Sequence, residues 1–264
     1  MHPVHAPPLR MPANQRIPIL LTSSVVAYDT GVSLRDTEER VRLALESVRE
    51  WLKLDPTLPI VLCDGSNHDF SEAVREHFPD ATIECLPFSN NQELVRQYGR
   101  GYGEGEIVRY ALNNSSLIAE AGCFAKCTSK LWVANFRECA ATWNNRLLLK
   151  GVFLHVFSPF RPTEFSYIDT RFYIASCALY RQYFEYAHHH IRKNDGHGLE
   201  ECFRDIFLAN SLGRVLLAVP PVICGVGGGT GTYYKNPVKR RLKERLRLWL
   251  VRRSRRFAGS FQNI

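Results

Sequence analysis

Two short segments of the chain place cations beside hydroxyl or carboxylate groups in patterns that suit phosphate chemistry. The side chains of Lys126, Thr128 and Lys130 fall on one face of an extended chain, which brings two ammonium groups and a hydroxyl together. Such a face suits a diphosphate. Asp169 and Arg171 share a face in the same way. Arg171 could clamp a phosphate or a sugar, or form a structural ion pair with Asp169.

A glycine-rich segment, RGYGEGE at residues 100–106, stands directly before a predicted helix. Gly101 and Gly103 would let backbone N–H groups and the positive end of that helix approach an anion, with Tyr102 and Glu104 beside them. The segment is neither a Walker loop, which ends in Gly-Lys-Ser/Thr, nor a dinucleotide fingerprint after a strand. A flexible loop before a helix is therefore the alternative.

A further candidate is the junction where the apolar run 60–63 ends in Asp64 and Gly65. Ligands of open α/β sheets bind outside the carboxyl ends of the strands. Asp64 could accept hydrogen bonds from a base or ribose, and Gly65 lets the backbone turn. Thr22 and Ser23 end the first predicted strand and would lie nearby. Asp-Gly is also an ordinary turn sequence, so a purely structural role stays open.

The elements that must position these residues alternate between strand and helix. Predicted strands cover about residues 17–26, 60–64, 81–86, 124–128, 151–157 and 168–175, and predicted helices about 36–52, 70–78, 103–113, 135–143, 177–191 and 199–209. In the first helix an apolar stripe runs among charges, and Asp36 followed by Glu39 indicates a capping box. This alternation favours a mostly parallel α/β sheet with helices on both faces.

Length and composition favour one large domain with an appendage. The chain has 264 residues, of which 45% are hydrophobic, enough to bury a sizeable core. No run approaches the ~20 apolar residues of a membrane span. Residues 1–16, rich in proline, lack the apolar stretch of a signal peptide, so we predict a disordered lead-in and a cytoplasmic location.

Cysteine and histidine patterns give little support for a metal centre. The eight cysteines are scattered through apolar segments without a Cys-x-x-Cys pair, which predicts buried reduced thiols rather than a zinc site. The run His188, His189 and His190 is predicted to be a solvated helix end, because successive helical residues point in different directions. We therefore predict no metal ligands among them.

Positive charge is concentrated near the C-terminus. The chain carries +8, but residues 238–257 hold ten basic residues and one glutamate, which leaves about −1 for the rest. Apolar residues recur there at helical spacing: Val238, Leu242, Leu246, Trp249 and Leu250. A basic helix with such a face is typical of interfacial membrane helices, where each cation contributes ~1 kcal/mol near anionic lipid. The alternative is a terminal helix packed on the domain.

We accordingly divide the chain into the lead-in 1–16, an α/β domain 17–235 and a membrane-associating tail 236–264. No basic and aromatic surface continues from the tail into the body, so nucleic acid is not a predicted partner.

The order of these motifs resembles one group of enzymes. VLCDGSNHD, RGYGEGE, FAKCTSKLW, IDTRFY and a helix opening with GLEE follow one another within residues 17–212. This order resembles GT-A-type glycosyltransferases that build bacterial capsule and lipopolysaccharide. Those relatives read Lys-x-Thr-Gly-Arg where Ser129 and Lys130 fill the last two positions here. The resemblance implies a GT-A-like (Rossmann-like) fold, a nucleotide-sugar donor, and a glycan or lipid-linked acceptor at the inner face of the cell membrane.

The motifs and the resemblance together predict which residues bind the donor nucleotide and its phosphates. They are Thr22, Ser23, Asp64, Gly65, Gly101, Tyr102, Gly103, Glu104, Lys126, Thr128, Lys130, Asp169 and Arg171.

The chain departs from most GT-A enzymes in one respect, since it contains no Asp-x-Asp to hold a divalent ion. We therefore expect Lys126, Lys130 and Arg171 to stabilise the departing diphosphate without a metal or other cofactor, with a divalent ion as the alternative.

An inverting enzyme would need a carboxylate to deprotonate the acceptor hydroxyl. The candidates are Glu200, Glu201 and, behind them, Asp195. Glu200 is preferred because it matches the Leu-Glu pair of the relatives. Glutamates on a solvated helix face are the alternative.

Two other functions fit the same α/β layout, because a fold alone does not define an activity. One is a non-catalytic module that binds a glycan or a membrane. The other is a nucleotidyltransferase, which usually needs Mg²⁺ on carboxylates.

Overall fold

In the computed structural model, which describes residues 16–229 and 231–262, the centre of the protein is a six-stranded sheet. The strands are β1 (Ile19–Ser23), β2 (Ile60–Asp64), β3 (Ile83–Pro87), β4 (Cys123–Thr128), β5 (Leu131–Val133), β6 (Leu147–Leu154), β7 (Glu164–Ser176) and β8 (Ile223–Gly225). The α-helices are α1 (Thr37–Leu54), α2 (Ser71–His77), α3 (Gln92–Tyr98), α4 (Arg100–Asn114), α5 (Ser116–Ala121), α6 (Phe136–Ala140), α7 (Cys177–Tyr183), α8 (Leu199–Ala209) and α9 (Val238–Arg253).

The sheet is mostly parallel, as predicted. Its order is β3-β2-β1-β4-β7-β6, and the pairs among β1 to β4 are parallel. Strand β7 is antiparallel to both β4 and β6, so it alone of the six is reversed. Strands β5 and β8 form a separate antiparallel pair. This is a Rossmann-like mixed α/β arrangement in which β1 and β4 end at the same edge of the sheet.

Successive residues of the central strands feed two cores, one on each face. Leu20 packs into the core that contains α4 and α8, whereas Ile19 and Leu21 pack into the core beneath α1. This follows from the two-residue period of a strand, and it explains why the central strands are continuously apolar. Helix α1 begins as predicted, because the Asp36 side chain accepts a hydrogen bond from the Glu39 amide at 2.7 Å.

For the glycine-rich segment the alternative of a flexible loop before a helix is wrong, and the helix begins three residues earlier than predicted. Residues 100–106 lie inside α4, which begins at Arg100 directly after Gly99 in a left-handed conformation (φ 88°). The glycines allow close packing instead. A Cβ at Gly105 would lie 2.3 Å from the His188 ring, and one at Gly101 would lie 3.0 Å from Leu199.

The predicted helix 177–191 is also shorter than expected, because α7 ends at Tyr183 and a 3₁₀ turn follows at Ala187–His190. The break turns Phe184 and His188 inward, so both are 1% exposed. The prediction of a solvated histidine run is therefore wrong for His188. All eight cysteines are free, and burial raises the pKa of the Cys63 thiol among others.

The C-terminal segment forms the predicted basic helix, α9. Four of its apolar side chains are exposed: Val238, Leu242, Leu246 and Trp249. Its end packs on the body, since Val251 and the following Phe257 and Phe261 are buried in the α4/α8 core. Among the described residues, no helix has the length and hydropathy needed to cross a bilayer. The predicted lead-in lies outside the described residues, except for Arg16.

Candidate functional site

A cavity of about 440 Å³ opens at the carboxyl edge of the sheet. Its walls are the ends of β1 and β4, the first turns of α4 and α8, and the glycine segment 227–229. This edge is where open α/β sheets bind ligands, because the strand ends and the helix N-termini face a shared crevice.

Two buried cations line this cavity without a carboxylate partner. Arg40 and Lys130 are 6% and 3% exposed, and no ion pair involves either of them among residues 16–229 and 231–262. Arg40 donates to the backbone carbonyls of Ser24 and Leu34. The Lys130 ammonium lies 3.5 Å from the Ser129 hydroxyl.

Burial, together with the charge of Arg40, lowers the pKa of Lys130 to about 7, against an opposing effect of Asp64. Burial also lowers the pKa of Arg40. Two neighbouring buried cations repel each other and are costly unless a negative group joins them. The cavity is therefore built for an anion.

Three unpartnered polar oxygens belong to residues that line the same cavity. They are Thr22 Oγ1, Ser23 Oγ and Asn90 Oδ1, and each of these residues is at most 7% exposed. The amide nitrogen of Asn90 is held by the Gly103 carbonyl at 2.9 Å, which fixes the direction of its oxygen. A buried polar atom without a partner costs about 1–3 kcal/mol, so these oxygens point to a polar ligand that completes them.

The predicted phosphate ligand Lys126 is already neutralised. Its side chain is fully buried, pairs with Glu104 at 2.6 Å, and donates to the Thr170 carbonyl at 2.8 Å. Glu104 and Thr128 line the cavity, whereas Lys126 lies behind its wall. The structure thus places Lys126 as a support for Glu104 and β7.

The Asp169 and Arg171 pair forms one of the two arrangements that the sequence left open, the structural ion pair. The Arg171 guanidinium donates to both Asp169 oxygens, at 2.8 and 2.5 Å, and Lys150 donates to the same carboxylate at 2.9 Å. Burial by itself raises the pKa of Asp169, but the two cations hold it well below its usual range. Arg171 also lies over the Tyr234 ring at the cavity rim, 5.0 Å from its centre.

The three candidate bases have different surroundings. Glu200 is half-buried in the cavity, where burial and the nearby charge of Glu104 raise its pKa. Glu201 also lines the cavity but caps α8, because its Oε2 accepts a hydrogen bond from the Gly198 amide at 2.9 Å. Asp195 is exposed, pairs with Arg192 at 3.4 Å, and does not line the cavity.

The structure does not bring Asp64, Gly65 or Tyr102 to the cavity. Asp64 is fully buried, and its oxygens accept hydrogen bonds from the amides of Val25 and Ser66 at 2.9 and 2.8 Å. A Cβ at Gly65 would lie 2.7 Å from Ile107, so this glycine serves packing. Tyr102 stacks on a neighbouring tyrosine and packs edge-on against a buried histidine. Asp64 thus shapes its turn and acts on the cavity only through its charge.

Several lining residues were missed by the sequence analysis. Arg40 looked like one more charge on an amphipathic helix, and Asn90 like part of a polar loop. The glycine segment 227–229 did carry a signal, since glycine recurs between residues 225 and 231. A Cβ at Gly229 would lie 1.9 Å from the Arg100 guanidinium, so the segment leaves room for that cation at the cavity.

One group with metal-ligand spacing occurs among the described residues, and it lies outside the cavity. It consists of Glu106, His188 and His189. Hydrogen bonds from His188 and Arg109 hold the pKa of Glu106 down at about 2. Glu106 is thereby committed to an ion-pair cluster that joins α4 to the histidine turn.

Fold and site together define a Rossmann-like α/β protein with a cavity lined by buried cations at the carboxyl edge of its sheet. No protein-family model matches the chain, and no curated protein sequence matches it.

Solved structures with a similar arrangement include HddC from Yersinia pseudotuberculosis, with a TM-score of 0.35 and 12% identity over 64% of this chain and 80% of that one. The bifunctional glycosyltransferase WbbM aligns with a TM-score of 0.40 and 9% identity, over 78% of this chain and 38% of WbbM. For 4-diphosphocytidyl-2C-methyl-D-erythritol synthase the TM-score is 0.40 and the identity 14%, over 88% and 99% of the two chains. These similarities concern the fold alone.

Proposed function

We propose that the protein is a glycosyltransferase that moves a sugar from a nucleotide-sugar donor to a lipid-linked or growing surface polysaccharide of the capsule or lipopolysaccharide kind. The observation that carries the proposal is the cavity itself. It combines two buried cations that form no ion pair among the described residues, Arg40 and Lys130, with three unpartnered polar oxygens at or just beyond the ends of the strands. A nucleoside diphosphate has the negative charge to pair with the two cations and the polar groups to hydrogen-bond the three oxygens.

In this proposal the two halves of the donor bind different walls. Thr22, Ser23 and Asn90 hydrogen-bond the base and ribose, since their oxygens lack partners in the free protein. Arg40 and Lys130 hold the diphosphate, whose charge replaces the missing counter-ion. The sugar then extends toward Glu104 and Glu200 across the cavity.

Glu200 serves as the general base. It removes the proton from the acceptor hydroxyl, whose oxygen attacks the anomeric carbon while the bond from that carbon to the diphosphate oxygen breaks. The raised pKa of Glu200 makes its carboxylate a stronger base than an ordinary glutamate. The electron pair leaves with the diphosphate, where the charges of Lys130 and Arg40 stabilise it without a divalent ion.

Helix α9 holds the enzyme at the anionic inner face of the cell membrane. Support comes from its exposed apolar side chains, Val238, Leu242, Leu246 and Trp249, which stand among closely spaced cations. The helix is therefore amphipathic and basic, as are helices that lie in the headgroup region of a membrane.

A binding and turnover experiment tests the proposal. Nucleoside diphosphates and nucleotide sugars are screened by thermal shift, and hydrolysis or transfer of the hit is then followed in EDTA, Mg²⁺ and Mn²⁺. The proposal expects a thermal shift with a nucleoside diphosphate, and turnover that survives EDTA. Binding without turnover would instead identify a non-catalytic module. Pyrophosphate release from a nucleoside triphosphate, dependent on Mg²⁺, would identify a nucleotidyltransferase.

A further inference from the structure

A second cavity, of about 220 Å³, lies between α9 and the sheet. It shares Arg171 and Tyr234 with the first cavity, so these two side chains mark where the cavities meet. One wall is the basic helix α9, and another is formed by β6 and β7 through Lys150 and Tyr167.

Positive charge is in excess in this second cavity. Its lining holds the cations Lys150, Arg171, Arg240, Arg241, Arg245 and Arg247, and the carboxylates Asp169 and Glu244. Asp169 is shared by the first two cations, Glu244 pairs with Arg247 at 2.5 Å, and Arg245 pairs with Glu138 outside the cavity at 3.2 Å. Arg241 has no ion pair among the described residues, and Arg247 Nε is buried without a hydrogen-bond partner. The lining therefore has room for an anion that carries more than one charge.

Apolar side chains line part of this cavity, and others are exposed on a different side of the same helix. Leu217, Val219 and Leu248 line the cavity, and the exposed apolar side chains of α9 stand on the same helix as its cations. A ligand with a charged head and an apolar chain matches this mixed lining of cations and apolar side chains.

The second cavity also lies close to the proposed base. Tyr167 is in its wall, and the pKa of Tyr167 is raised by burial and further by the charges of Asp169 and Glu200. Since Arg171 and Tyr234 line both cavities and Glu200 lines the first, a ligand head group held between α9 and β7 would direct its next substituent toward the cavity that contains Glu200.

We propose that the second cavity binds the diphosphate of a lipid-linked acceptor, with the start of the lipid chain along Leu217, Val219 and Leu248 in its wall. This inference rests on the proposed function, because the sugar attached to that diphosphate would be the acceptor that Glu200 deprotonates. Helix α9 then has two roles, as a membrane contact and as a wall of the acceptor site.

The test uses farnesyl diphosphate as a lipid diphosphate probe, measured by calorimetry on the full chain with and without a saturating nucleoside diphosphate. Inorganic pyrophosphate and farnesol are the two comparison ligands. The test variant is Arg241→Gln with Arg247→Gln, and the matched control is Lys243→Gln with Arg253→Gln, which removes two cations from the same helix outside the cavity. All variants are first compared with the wild type by circular dichroism.

We expect farnesyl diphosphate to bind without displacing the nucleotide, and at least tenfold more tightly than either comparison ligand. The cavity variant should lose at least tenfold in this affinity, whereas the control should keep it. Equal losses in both variants would show diffuse attraction and overturn the inference, as would pyrophosphate binding as tightly as the lipid. Competition with the nucleotide would place the probe in the first cavity and also overturn it.

The same data separate this inference from the proposed function. If no nucleotide binds while farnesyl diphosphate still shows the expected pattern, the donor function is wrong and the lipid diphosphate site stands. If nucleotide-sugar turnover persists and farnesyl diphosphate does not bind, the donor function stands and the site proposed here is wrong.

Discussion

The titration of Lys130 gives a quantitative test of the proposed diphosphate site. The free protein holds the pKa of this lysine at about 7, because its ammonium is buried beside Arg40. A diphosphate in the cavity supplies the missing negative charge and returns the pKa toward the ordinary value of a lysine. Binding at alkaline pH must therefore take up a proton.

The direction and size of the pH dependence of affinity follow from the pKa of Lys130 in the free and the bound protein. Below pH 7 Lys130 is charged before binding, so its titration has no effect on affinity. Above pH 7 the Lys130 amine of the free protein must first be protonated, which at pH 8 lowers the affinity about tenfold. From pH 7.5 to 8.5 we expect the dissociation constant of a nucleoside diphosphate to rise about eightfold, with an uptake of about 0.9 proton at pH 8.

Calorimetry in two buffers with different ionisation enthalpies measures this proton uptake. Lys130→Arg keeps a permanent cation and should flatten the pH dependence. Lys193→Arg is the matched control, because Lys193 also lines the cavity but is paired with Asp29 at 3.2 Å, and it should leave the dependence intact. A wild-type affinity that does not change across this range, with no proton uptake, would refute the assignment of Lys130 to the phosphate.

Three further outcomes are expected. Glu200→Gln should lower kcat by about 10²–10⁴-fold, as expected for loss of a general base. Glu201→Gln should leave kcat close to the wild-type value, because the glutamine oxygen still accepts the hydrogen bond from the Gly198 amide; equal kcat losses would contradict this division. Gly225→Ala should lower the free energy of unfolding by about 3 kcal/mol in chemical denaturation, because the new Cβ would lie 2.2 Å from the Lys130 carbonyl and the residue has a φ of +100°. The control Gly231→Ala, at a φ of +65° with open space around the new Cβ, should cost about 1 kcal/mol. Trp249→Ser should weaken sedimentation with anionic vesicles but leave turnover of a water-soluble acceptor unchanged; unaltered sedimentation would remove this side chain from the membrane contact.

The sequence predicted those elements whose signals are local. The cap at Asp36, the end of β2 at Asp64 and the bounds of α8 all follow from neighbouring residues, and the structure has them as expected. The apolar run that forms β6 was placed at 151–157, although the strand spans Leu147–Leu154. A run of apolar residues fixes the existence of a strand better than its ends, because pairing with β7 decides the register.

Elements that depend on distant packing were not predictable in the same way. The helix predicted for 177–191 has no breaker after Tyr183, yet it ends there because Phe184 turns inward onto Phe203, 4.5 Å between ring centres. The glycines of α4 also suggested a loop, because the contacts that explain them come from segments distant in the sequence. Their role is to let Leu199 and His188 approach the helix, and neither contact is visible in the segment itself.

The candidate site shows the same division. Lys130 was predicted from its position at the exit of a strand. The second buried cation of the cavity, Arg40, comes from a helix 90 positions earlier, and no local sequence pattern marks it as a site residue. Conversely, Lys126 has the right spacing for a phosphate, and only the fold shows that Glu104 neutralises it. Spacing predicts which side chains share a face. Whether a charge there is free to bind a ligand depends on the counter-charges that other elements supply.

The C-terminal segment illustrates how contacts with distant elements affect function. Its charge pattern predicted a tail that could be separated from the body, yet Val251, Phe257 and Phe261 are buried in the main core. Deleting residues from 238 onward would therefore remove core side chains, and such buried aromatic residues typically contribute about 3–5 kcal/mol each. Since the same helix lines the second cavity, membrane contact and acceptor binding are coupled to the packing of the domain. Point substitutions on the exposed face of α9 can separate these roles, whereas truncation changes all of them at once.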